Sequence, residues 1–376
     1  MSSSIISLLA NSPHNSVSEL VLSYQDAYPK EWYYKPVGIE VEITNKCNLK
    51  CKGCGQIDEL ERPDDILTTD QYIDTILQAA DLPIFACSIT GGETLLFLER
   101  VKQILTEISG KIDIYKLNSN SYRFVNDVVT LQVLESLKLA GFSGKNKEIK
   151  SVLVTSIGQQ NEAGMPLKNS VNLVKHFYSV FDFNECICTV NATDKNIQKS
   201  KRWLEAFLAL YKSQTGESVD QEKVPFRAFM LNNVPTLQRL QLMTEYEVPI
   251  QDLISSFKTQ YTSWKCLNTL PDPGQLTSLT PRCVLRPNGD IIACPGYNYT
   301  HKIGNIKENS LSDIIASANE NAFLKVMFTE GLPGMYELLQ KKYPSLRKEK
   351  LSLSYAPCDV CQFFKEQYYD SSKNTI

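Results

Sequence analysis

The sequence predicts an α/β fold, and two observations favour it. Six short apolar segments with the alternation of β-strands follow one another between about residues 36 and 235, and amphipathic helical patterns separate them. Strands that alternate with helices predict a parallel sheet with right-handed crossovers. Periodicity alone leaves open whether this sheet curves into a barrel or is doubly wound. Near the C-terminus, a turn sequence between two apolar segments predicts a β-hairpin.

The individual elements have local signals. The predicted strands cover residues 37–43, 84–90, 112–118, 149–156, 185–191 and 224–231. The clearest helix start precedes the second strand, where Thr68 and Gln71 form a capping box. The next two helices are predicted to end at Gly110 and Gly141, because glycine readily adopts the backbone conformation that closes a helix. Two further apolar stripes predict helices before the fifth and sixth strands.

The order of these elements divides the chain into four parts. Residues 1–35 form an N-terminal extension, and residues 36–235 hold the strand–helix repeats. Residues 236–280 are predicted to be a linker with helices. Residues 281–376 form a smaller module, in which the Pro-Asn-Gly-Asp sequence at 287–290 is the hairpin turn.

Composition excludes several classes of function. With 376 residues, 43% of them hydrophobic, the chain can bury a large core. The net charge of −3 gives no reason to expect a nucleic-acid partner. No apolar run approaches the roughly 18 residues that a membrane span needs. Eleven cysteines without an export signal favour a reducing cytoplasm and metal ligation over disulfides.

Three cysteines follow the first predicted strand within eight residues. Cys47, Cys51 and Cys54 have the spacing C-x3-C-x2-C. Such a triplet can bind three irons of a 4Fe–4S cluster and leave the fourth iron without a protein ligand. An open metal position is typical of catalytic rather than structural sites. The carboxyl end of a strand is also where α/β barrels hold their active sites.

A second motif, Gly91-Gly92-Glu93, follows the second predicted strand. Together the two motifs resemble the radical S-adenosylmethionine (SAM) superfamily, which carries a Gly-Gly-Glu-Pro segment at this place. The resemblance implies a partial (β/α)6 TIM-like barrel and a 4Fe–4S cluster on the cysteine triplet. It further implies that SAM binds the fourth iron and is reductively cleaved to a 5′-deoxyadenosyl radical, which abstracts hydrogen from a substrate. A zinc or plain electron-transfer site would not need the glycine pair.

The same resemblance implies contacts to SAM. The two glycines let the backbone approach the methionine end, and Glu93 accepts a hydrogen bond from the amino group. Ser119 and Asn120 occupy the place of the family's Thr-Asn-Gly near the ribose, and Ser156 that of a serine near the carboxylate. Serine and asparagine are also common where strands end in turns, so a purely structural role stays open. Thr94 stands where the family usually has proline.

Gly53 is a further departure from the family pattern. The residue before the third cysteine is usually aromatic and packs on adenine, but here it is glycine. The Cys-x-Gly-Cys-Gly run also resembles radical enzymes that attach adenosine to hopanoid lipid precursors. Radical adenosyl transfer to a lipid precursor is therefore a weaker alternative.

A second cysteine set lies in the C-terminal module. Cys283 and Cys294 flank the hairpin turn, and Cys358 and Cys361 follow near the end of the chain. Four thiolates suffice for a 4Fe–4S cluster or a tetrahedral zinc site. The hairpin, with the helix after it, resembles the twitch or SPASM-type auxiliary domain of radical SAM enzymes, with cysteines for one cluster. Cys266 is a spare that either replaces one ligand or lies near the substrate.

Other polar and sulfur-containing residues lie in predicted strands. Cys87, Cys186 and Cys188 are expected to be buried core residues. Glu40 and Glu42 alternate with apolar residues of the first strand, so they face either the barrel interior or a solvated or salt-bridged surface.

The resulting prediction is an oxidoreductase or maturase that modifies a peptide or a small natural product. Oxidation, crosslinking and epimerisation are the candidate reactions, and a reducing flavodoxin or ferredoxin is the expected electron donor. Related enzymes with such an auxiliary domain often modify peptides, which slightly favours a peptide substrate. The short N-terminal extension favours a small molecule instead. The alternative from another class is a non-catalytic iron–sulfur or zinc protein for electron transfer or scaffolding.

Overall fold

The computed structural model describes most of the predicted core elements. The described residues are 22–51, 67–143, 151–181, 185–192, 197–219, 226–230, 282–294, 302–342 and 364–365. The chain forms two units. The first unit comprises residues 41–77 and 86–250, and the second comprises residues 1–40, 78–85 and 251–376. The predicted linker at 236–280 and most of the N-terminal extension lie outside the described residues.

The first unit is built on strands that follow the predicted ones. In the described part of the chain these are β1 (Gly38–Glu42, whose last residues belong to this unit), β2 (Ala86–Thr90), β3 (Ile114–Ser119), β4 (Val152–Gly158), β5 (Glu185–Ala192) and β6 (Phe226–Met230). Their order in the sheet is β6-β5-β4-β3-β2-β1, the same as their order in the chain. The pairings from β2 to β6 are parallel.

This strand order decides between the two architectures that periodicity left open. A doubly wound sheet reverses its strand order at a switch point. A TIM-like barrel instead adds each strand beside the preceding one. The consecutive order from β1 to β6 is therefore that of the partial barrel.

Helices separate the strands of the first unit. They are α1 (Thr69–Asp81), a 3-10 helix (Thr94–Phe97), α2 (Leu98–Ile108), α3 (Asp127–Leu139), α4 (Gln159–Glu162), α5 (Leu167–Val180) and α6 (Ile197–Thr215). The capping box before α1 is confirmed, because the Thr68 N–H donates to Gln71 Oε1 at 2.9 Å and the Gln71 N–H donates to Thr68 Oγ1 at 3.3 Å. None of the described helices is both long and apolar enough to cross a bilayer.

The cysteines predicted to fill the core do so. Cys87, Cys186 and Cys188 are each 0% exposed. The two glutamates of β1 differ from each other: Glu42 is buried, whereas Glu40 lies 3.1 Å from Arg282 Nε in an ion pair within the second unit. The solvated surface predicted as one possibility is therefore wrong for Glu42, and the salt-bridged possibility is confirmed for Glu40.

The second unit contains the predicted hairpin. Its described elements after β1 are β7 (Arg282–Leu285), β8 (Asp290–Ile292), β9 (Lys302–Asn305), α7 (Leu311–Ala318), α8 (Ala322–Thr329) and α9 (Gly331–Lys342). β7 and β8 are antiparallel, and β8 and β9 are antiparallel. Gly289 turns the chain with a φ of 90°, and its N–H donates to the Arg286 carbonyl at 2.9 Å. The turn residue that was predicted from sequence therefore has the conformation that favours glycine.

Within the same unit, one side chain forms hydrogen bonds that link the extended backbone of residues 33–34 to the C-terminal end of α7. Asn319, just after α7, accepts from the N–H groups of Tyr33 and Tyr34 at 2.8 Å each. Its Nδ2 donates to the Tyr34 carbonyl at 3.1 Å and to the Ile315 carbonyl at 3.0 Å. A single amide thus satisfies four backbone groups, which asparagine can do because it carries both donors and an acceptor.

We expect N319A to lower the free energy of unfolding by about 2 kcal/mol, because it leaves several half-buried backbone groups without partners. Urea denaturation of the two proteins measures the difference. N309A is the matched control: Asn309 is exposed, and its loss should change stability by no more than about 0.5 kcal/mol. Equal stability of N319A and the unmodified protein would show that these hydrogen bonds do not stabilise the fold.

Candidate active site

The backbone between β1 and Cys47 is held by donors from neighbouring elements of the first unit. We call residues 42–46 the anchor segment. Its carbonyls accept hydrogen bonds from Tyr72 Oη (to Glu42, 3.1 Å), Arg100 Nη1 (to Ile43, 2.8 Å), the Gly92 N–H (to Thr44, 2.8 Å) and the Glu93 N–H (to Lys46, 2.9 Å). Four of five consecutive carbonyls are therefore fixed immediately before the first cysteine of the motif.

The glycine pair makes this arrangement possible. A Cβ on Gly92 would lie 2.1 Å from the Lys46 carbonyl oxygen, and one on Gly91 would lie 2.5 Å from that of Thr44. Gly91 also has a φ of 143°, which L-residues with side chains rarely adopt. The structure thus gives the glycine pair a role in packing the loop that follows β2, here called the β2 loop (residues 91–93), on the anchor segment. The predicted approach to SAM stays a prediction.

Cys47 and Cys51 follow the anchor segment as half-buried cysteines, whereas Cys54 lies outside the described residues. Cys47 Sγ accepts the Leu49 N–H at 3.4 Å and lies 3.8 Å from the donating Nδ2 of Asn120. Hydrogen bonds donated to sulfur favour the thiolate, which is the form that binds metal. The donor set and its surroundings therefore fit an iron–sulfur cluster.

Glu93 joins the β2 loop to the end of β3. Its Oε1 accepts from the Leu95 N–H at 3.0 Å and from Ser119 Oγ at 2.8 Å, and its Oε2 accepts from the Asn120 N–H at 2.6 Å. Burial raises the pKa of Glu93 to about 7, although these hydrogen bonds and the charge of Arg123 act in the opposite direction. A carboxylate has about four acceptor positions, so Oε2 keeps one for a further donor.

Asn120 connects this carboxylate to the cysteine motif. Its side-chain Nδ2 donates to Asn48 Oδ1 at 2.9 Å and towards Cys47 Sγ, and its Oδ1 accepts the Tyr122 N–H at 3.0 Å. Cys47, Glu93, Ser119 and Asn120 thus form one network. Ser156 belongs to a separate pair, 2.9 Å from Thr189 Oγ1 on β5.

Three residues of this region were not predicted as functional. Asn48 stands inside the cysteine motif, where the spacing gives it no assigned role. Thr94, in place of the family's proline, donates its hydroxyl to the Asn118 carbonyl, a bond that proline lacks the group to make. Ser121 has a φ of 68°, and it occupies the glycine position of the Thr-Asn-Gly segment. That glycine was the available signal for a left-handed residue here.

In the second unit, two of the four predicted auxiliary ligands are described. Cys283 on β7 and Cys294 after β8 are both buried. Cys283 Sγ lies 3.8 Å from the Gly38 carbonyl, to which it donates, and burial raises its pKa to about 12. Tyr34 lies near both thiols: burial, then Cys283, Tyr28 and Cys294, raise its pKa well above the usual value.

The remaining cysteines of the second set fall elsewhere in the chain. Cys358, Cys361 and the spare Cys266 lie outside the described residues. Among the residues that are described, no three or more metal-binding side chains gather at one point. The ligand sets of both clusters therefore stay predictions.

Two family models match separate parts of the chain. The radical SAM superfamily model matches residues 41–146, which include the cysteine triplet and the Gly-Gly-Glu turn. The iron–sulfur cluster-binding SPASM model matches residues 278–362, which include the second cysteine set. The chain therefore carries a radical SAM domain at residues 41–146 and a SPASM domain at residues 278–362. The predicted cofactors, a 4Fe–4S cluster, SAM and an auxiliary cluster, are those of this family.

Two curated proteins are similar to this chain over parts of their length. The chain is 37% identical over 60 residues to the PqqA peptide cyclase of Streptomyces rochei, which covers 16% of each protein. It is 23% identical over 146 residues to the GTP 3′,8-cyclase of Desulforamulus reducens, covering 37% of this chain and 43% of that enzyme. These matches span less than half the length of either relative.

A solved structure shows the same fold. Native anSMEcpe with bound AdoMet has a TM-score of 0.50 and 12% identity, and the match covers 88% of this chain and 96% of that chain. At this identity the likeness concerns the fold. The predicted TIM-like partial barrel with a C-terminal auxiliary domain is confirmed.

We expect G92A to lose bound iron, because its methyl group would push the Lys46 carbonyl and with it the loop that carries Cys47. Iron content after anaerobic reconstitution measures this loss, and at least a fivefold decrease is expected. G110A is the control: Gly110 has a φ of 71°, and a methyl group there would meet no neighbouring atom within 4 Å. It should cost about 1 kcal/mol of stability and keep its iron. Full iron content in G92A would refute the packing argument.

We expect E93Q to change how stability depends on pH. Because the pKa of Glu93 rises from 4.5 unfolded to about 7 folded, its contribution favours folding below about pH 4.5 and is lost as the pH rises through 7. Glutamine does not titrate. As the pH rises across that window, the free energy of unfolding of E93Q should therefore increase relative to that of the unmodified protein, by up to about 1.4 kcal/mol per pH unit.

Urea denaturation of the anaerobic protein at pH 4.5, 6 and 7.5 measures this gain. E99Q is the matched control, because the Glu99 side chain is 82% exposed. Parallel pH profiles of E93Q and E99Q would show that the Glu93 carboxyl has an ordinary pKa.

Proposed function

We propose that this protein reductively cleaves SAM and abstracts hydrogen from a peptide substrate. The observation that carries the proposal is the network that joins Cys47 to Glu93 through Asn120, because it connects the cluster motif to the SAM motif by hydrogen bonds. When bound, the cluster and SAM supply a 5′-deoxyadenosyl radical that takes a hydrogen atom from the substrate. Cys47, Cys51 and Cys54 are the proposed cluster ligands.

The residues around the cluster have proposed roles in holding SAM. Glu93 keeps one acceptor position on Oε2, and above pH 7 it is anionic; both properties suit the ammonium group of SAM. Gly91 and Gly92 give the loop the close backbone packing that holds Glu93 in place. Ser119 orients Glu93, and Ser156, two residues before the end of β4, is the proposed contact for the carboxylate of SAM.

The auxiliary cluster is proposed to lie on Cys283, Cys294, Cys358 and Cys361. The SPASM match over residues 278–362 supports this assignment, because it includes all four cysteines. The burial of Cys283 and Cys294 near Tyr34 adds support, since a buried cluster is shielded from solvent. Its proposed task is to accept an electron from the substrate or to shape the substrate pocket.

A peptide is the favoured substrate, and oxidation, crosslinking or epimerisation are the candidate outcomes. The local identity of 37% with a PqqA peptide cyclase supports a peptide. The similarity to a GTP cyclase favours a small molecule as the second candidate. A flavodoxin or ferredoxin is the proposed electron donor. A cytoplasmic setting is proposed, because a reducing compartment keeps cysteines available for metal ligation.

We expect the anaerobically reconstituted protein to release 5′-deoxyadenosine from SAM when dithionite is added. C47A, C51A and C54A should each reduce this release below detection, because the cluster then lacks one of its three ligands. The double variant C358A/C361A should lose about half of the iron and retain some SAM cleavage uncoupled from product. C87A is the matched control: it removes a buried cysteine outside the motifs and should retain both iron and cleavage.

Two results would contradict these assignments. A filled cluster with intact SAM would indicate the electron-transfer or scaffold alternative. Full iron and turnover in C358A/C361A would show that these cysteines are not auxiliary ligands. Liquid chromatography of the nucleoside products and iron assays distinguish the outcomes, and an adenosylated lipid product would indicate adenosyl transfer.

A further inference from the structure

We propose that Asn120 is a positioning residue for the cluster, and that its side-chain amide raises the reduction potential through a hydrogen bond to Cys47. This inference rests on the proposed function, because it takes Cys47 to be a cluster ligand. It assigns to Asn120 a role that the cysteine and glycine motifs do not predict. The sequence predicted a contact with the ribose of SAM instead.

The hydrogen bonds of the amide fix its orientation. Oδ1 accepts the Tyr122 N–H at 3.0 Å, so the opposite side of the amide must be Nδ2. One Nδ2 hydrogen goes to Asn48 Oδ1 at 2.9 Å, and the other points to Cys47 Sγ at 3.8 Å. Turning the amide over would place its oxygen against two acceptors and its NH2 against a donor. Both Nδ2 hydrogens are thus committed within the cysteine loop.

The backbone of Asn120 is equally constrained. Its N–H donates to Glu93 Oε2 at 2.6 Å, and the preceding Ser119 hydroxyl donates to Glu93 Oε1 at 2.8 Å. Asn120 is 8% exposed, so solvent contributes little to its position. A donor held in this way keeps its direction when the charge of its acceptor changes, which is how residues beyond the direct ligands tune a metal centre.

The effect on the cluster follows from charge. Reduction adds an electron to the cluster and part of the added negative charge resides on its sulfur ligands. A donor to a ligand sulfur therefore stabilises the reduced cluster more than the oxidised one, and hydrogen bonds to sulfur are among the factors that set iron–sulfur potentials. The Leu49 N–H also binds Cys47 Sγ, but only proline at this position would remove that backbone donor, and proline would also restrict the backbone of the loop. The Asn120 amide is therefore the donor that a substitution can remove without altering the backbone of the cysteine loop.

The test is a redox titration of the anaerobic holoenzyme, monitored by electron paramagnetic resonance. The signal that changes when SAM is added reports the SAM-binding cluster and separates it from the auxiliary one. N120A should lower the equilibrium constant for reduction of that cluster about tenfold, which for one electron is a shift of about 59 mV to lower potential. Iron content should stay that of the unmodified protein.

Matched variants separate this effect from a general loss of structure. N172A makes the same substitution at a similarly buried residue, whose Nδ2 donates to the Phe124 carbonyl at 2.9 Å. It should leave the potential unchanged. N120D keeps the size of the side chain but replaces the donor with an acceptor, so it should lower the potential at least as far as N120A. If N120A does not fold, N120D decides the question.

The outcomes also distinguish this inference from the proposed function. A SAM-responsive signal that titrates in N120A and N120D at the potential of the unmodified protein overturns the role of Asn120 alone. An equal shift in N172A overturns it as well, because the effect would then reflect general destabilisation. Absence of any SAM-responsive signal in the unmodified protein overturns the proposed function, and the inference with it.

Discussion

The candidate active site in the first unit depends on one close backbone contact, in which the Gly91-Gly92 turn lies directly on residues 44–46. Main-chain hydrogen bonds from Gly92 and Glu93 then reach the Thr44 and Lys46 carbonyls. The two N–H groups belong to consecutive residues of the turn that follows β2. The position of the loop that begins at Cys47 is therefore fixed by β2 as well as by β1. Any side chain on Gly92 would occupy the space of the Lys46 carbonyl. This contact joins the cysteine motif to the glutamate motif through main-chain atoms.

The sequence predicted much of the framework but less of the site. Strand alternation and the Thr68–Gln71 capping box are local signals, and the structure has these elements within a few residues of the predicted bounds. β4, for example, begins three residues later than predicted and runs to Gly158. The motifs also supplied the candidate site residues, whose roles stay predictions. They did not indicate that Asn120 binds Asn48 and Cys47, because that pairing depends on how closely the ends of β1 and β3 approach, and no periodicity encodes such a distance.

In the second unit, too, features set by neighbouring residues were predictable from sequence, whereas contacts between distant residues were not. The Pro-Asn-Gly-Asp sequence predicts its own turn, since the conformation needed at Gly289 is a property of that residue. The hydrogen bonds from Tyr33 and Tyr34 to Asn319 join positions far apart in the sequence. An asparagine after a helix is commonplace, so nothing in the sequence distinguishes Asn319 from a simple helix end. Only the extended backbone of residues 33 and 34 opposite its amide gives it that role.

Charge explains why an asparagine suits the position between the two motifs. Glu93 on one side is anionic above pH 7, and a metal-bound Cys47 on the other side is a thiolate, so both neighbours need donors. Asn120 supplies its backbone N–H to the carboxylate and its amide N–H to the sulfur, and it adds no charge of its own. An aspartate would repel the thiolate, and serine has a single proton and a shorter side chain. A lysine would serve the thiolate, but its positive charge would compete with the ammonium group proposed to bind Glu93. A neutral double donor therefore holds two negative groups in place while leaving the carboxylate free to attract a cation.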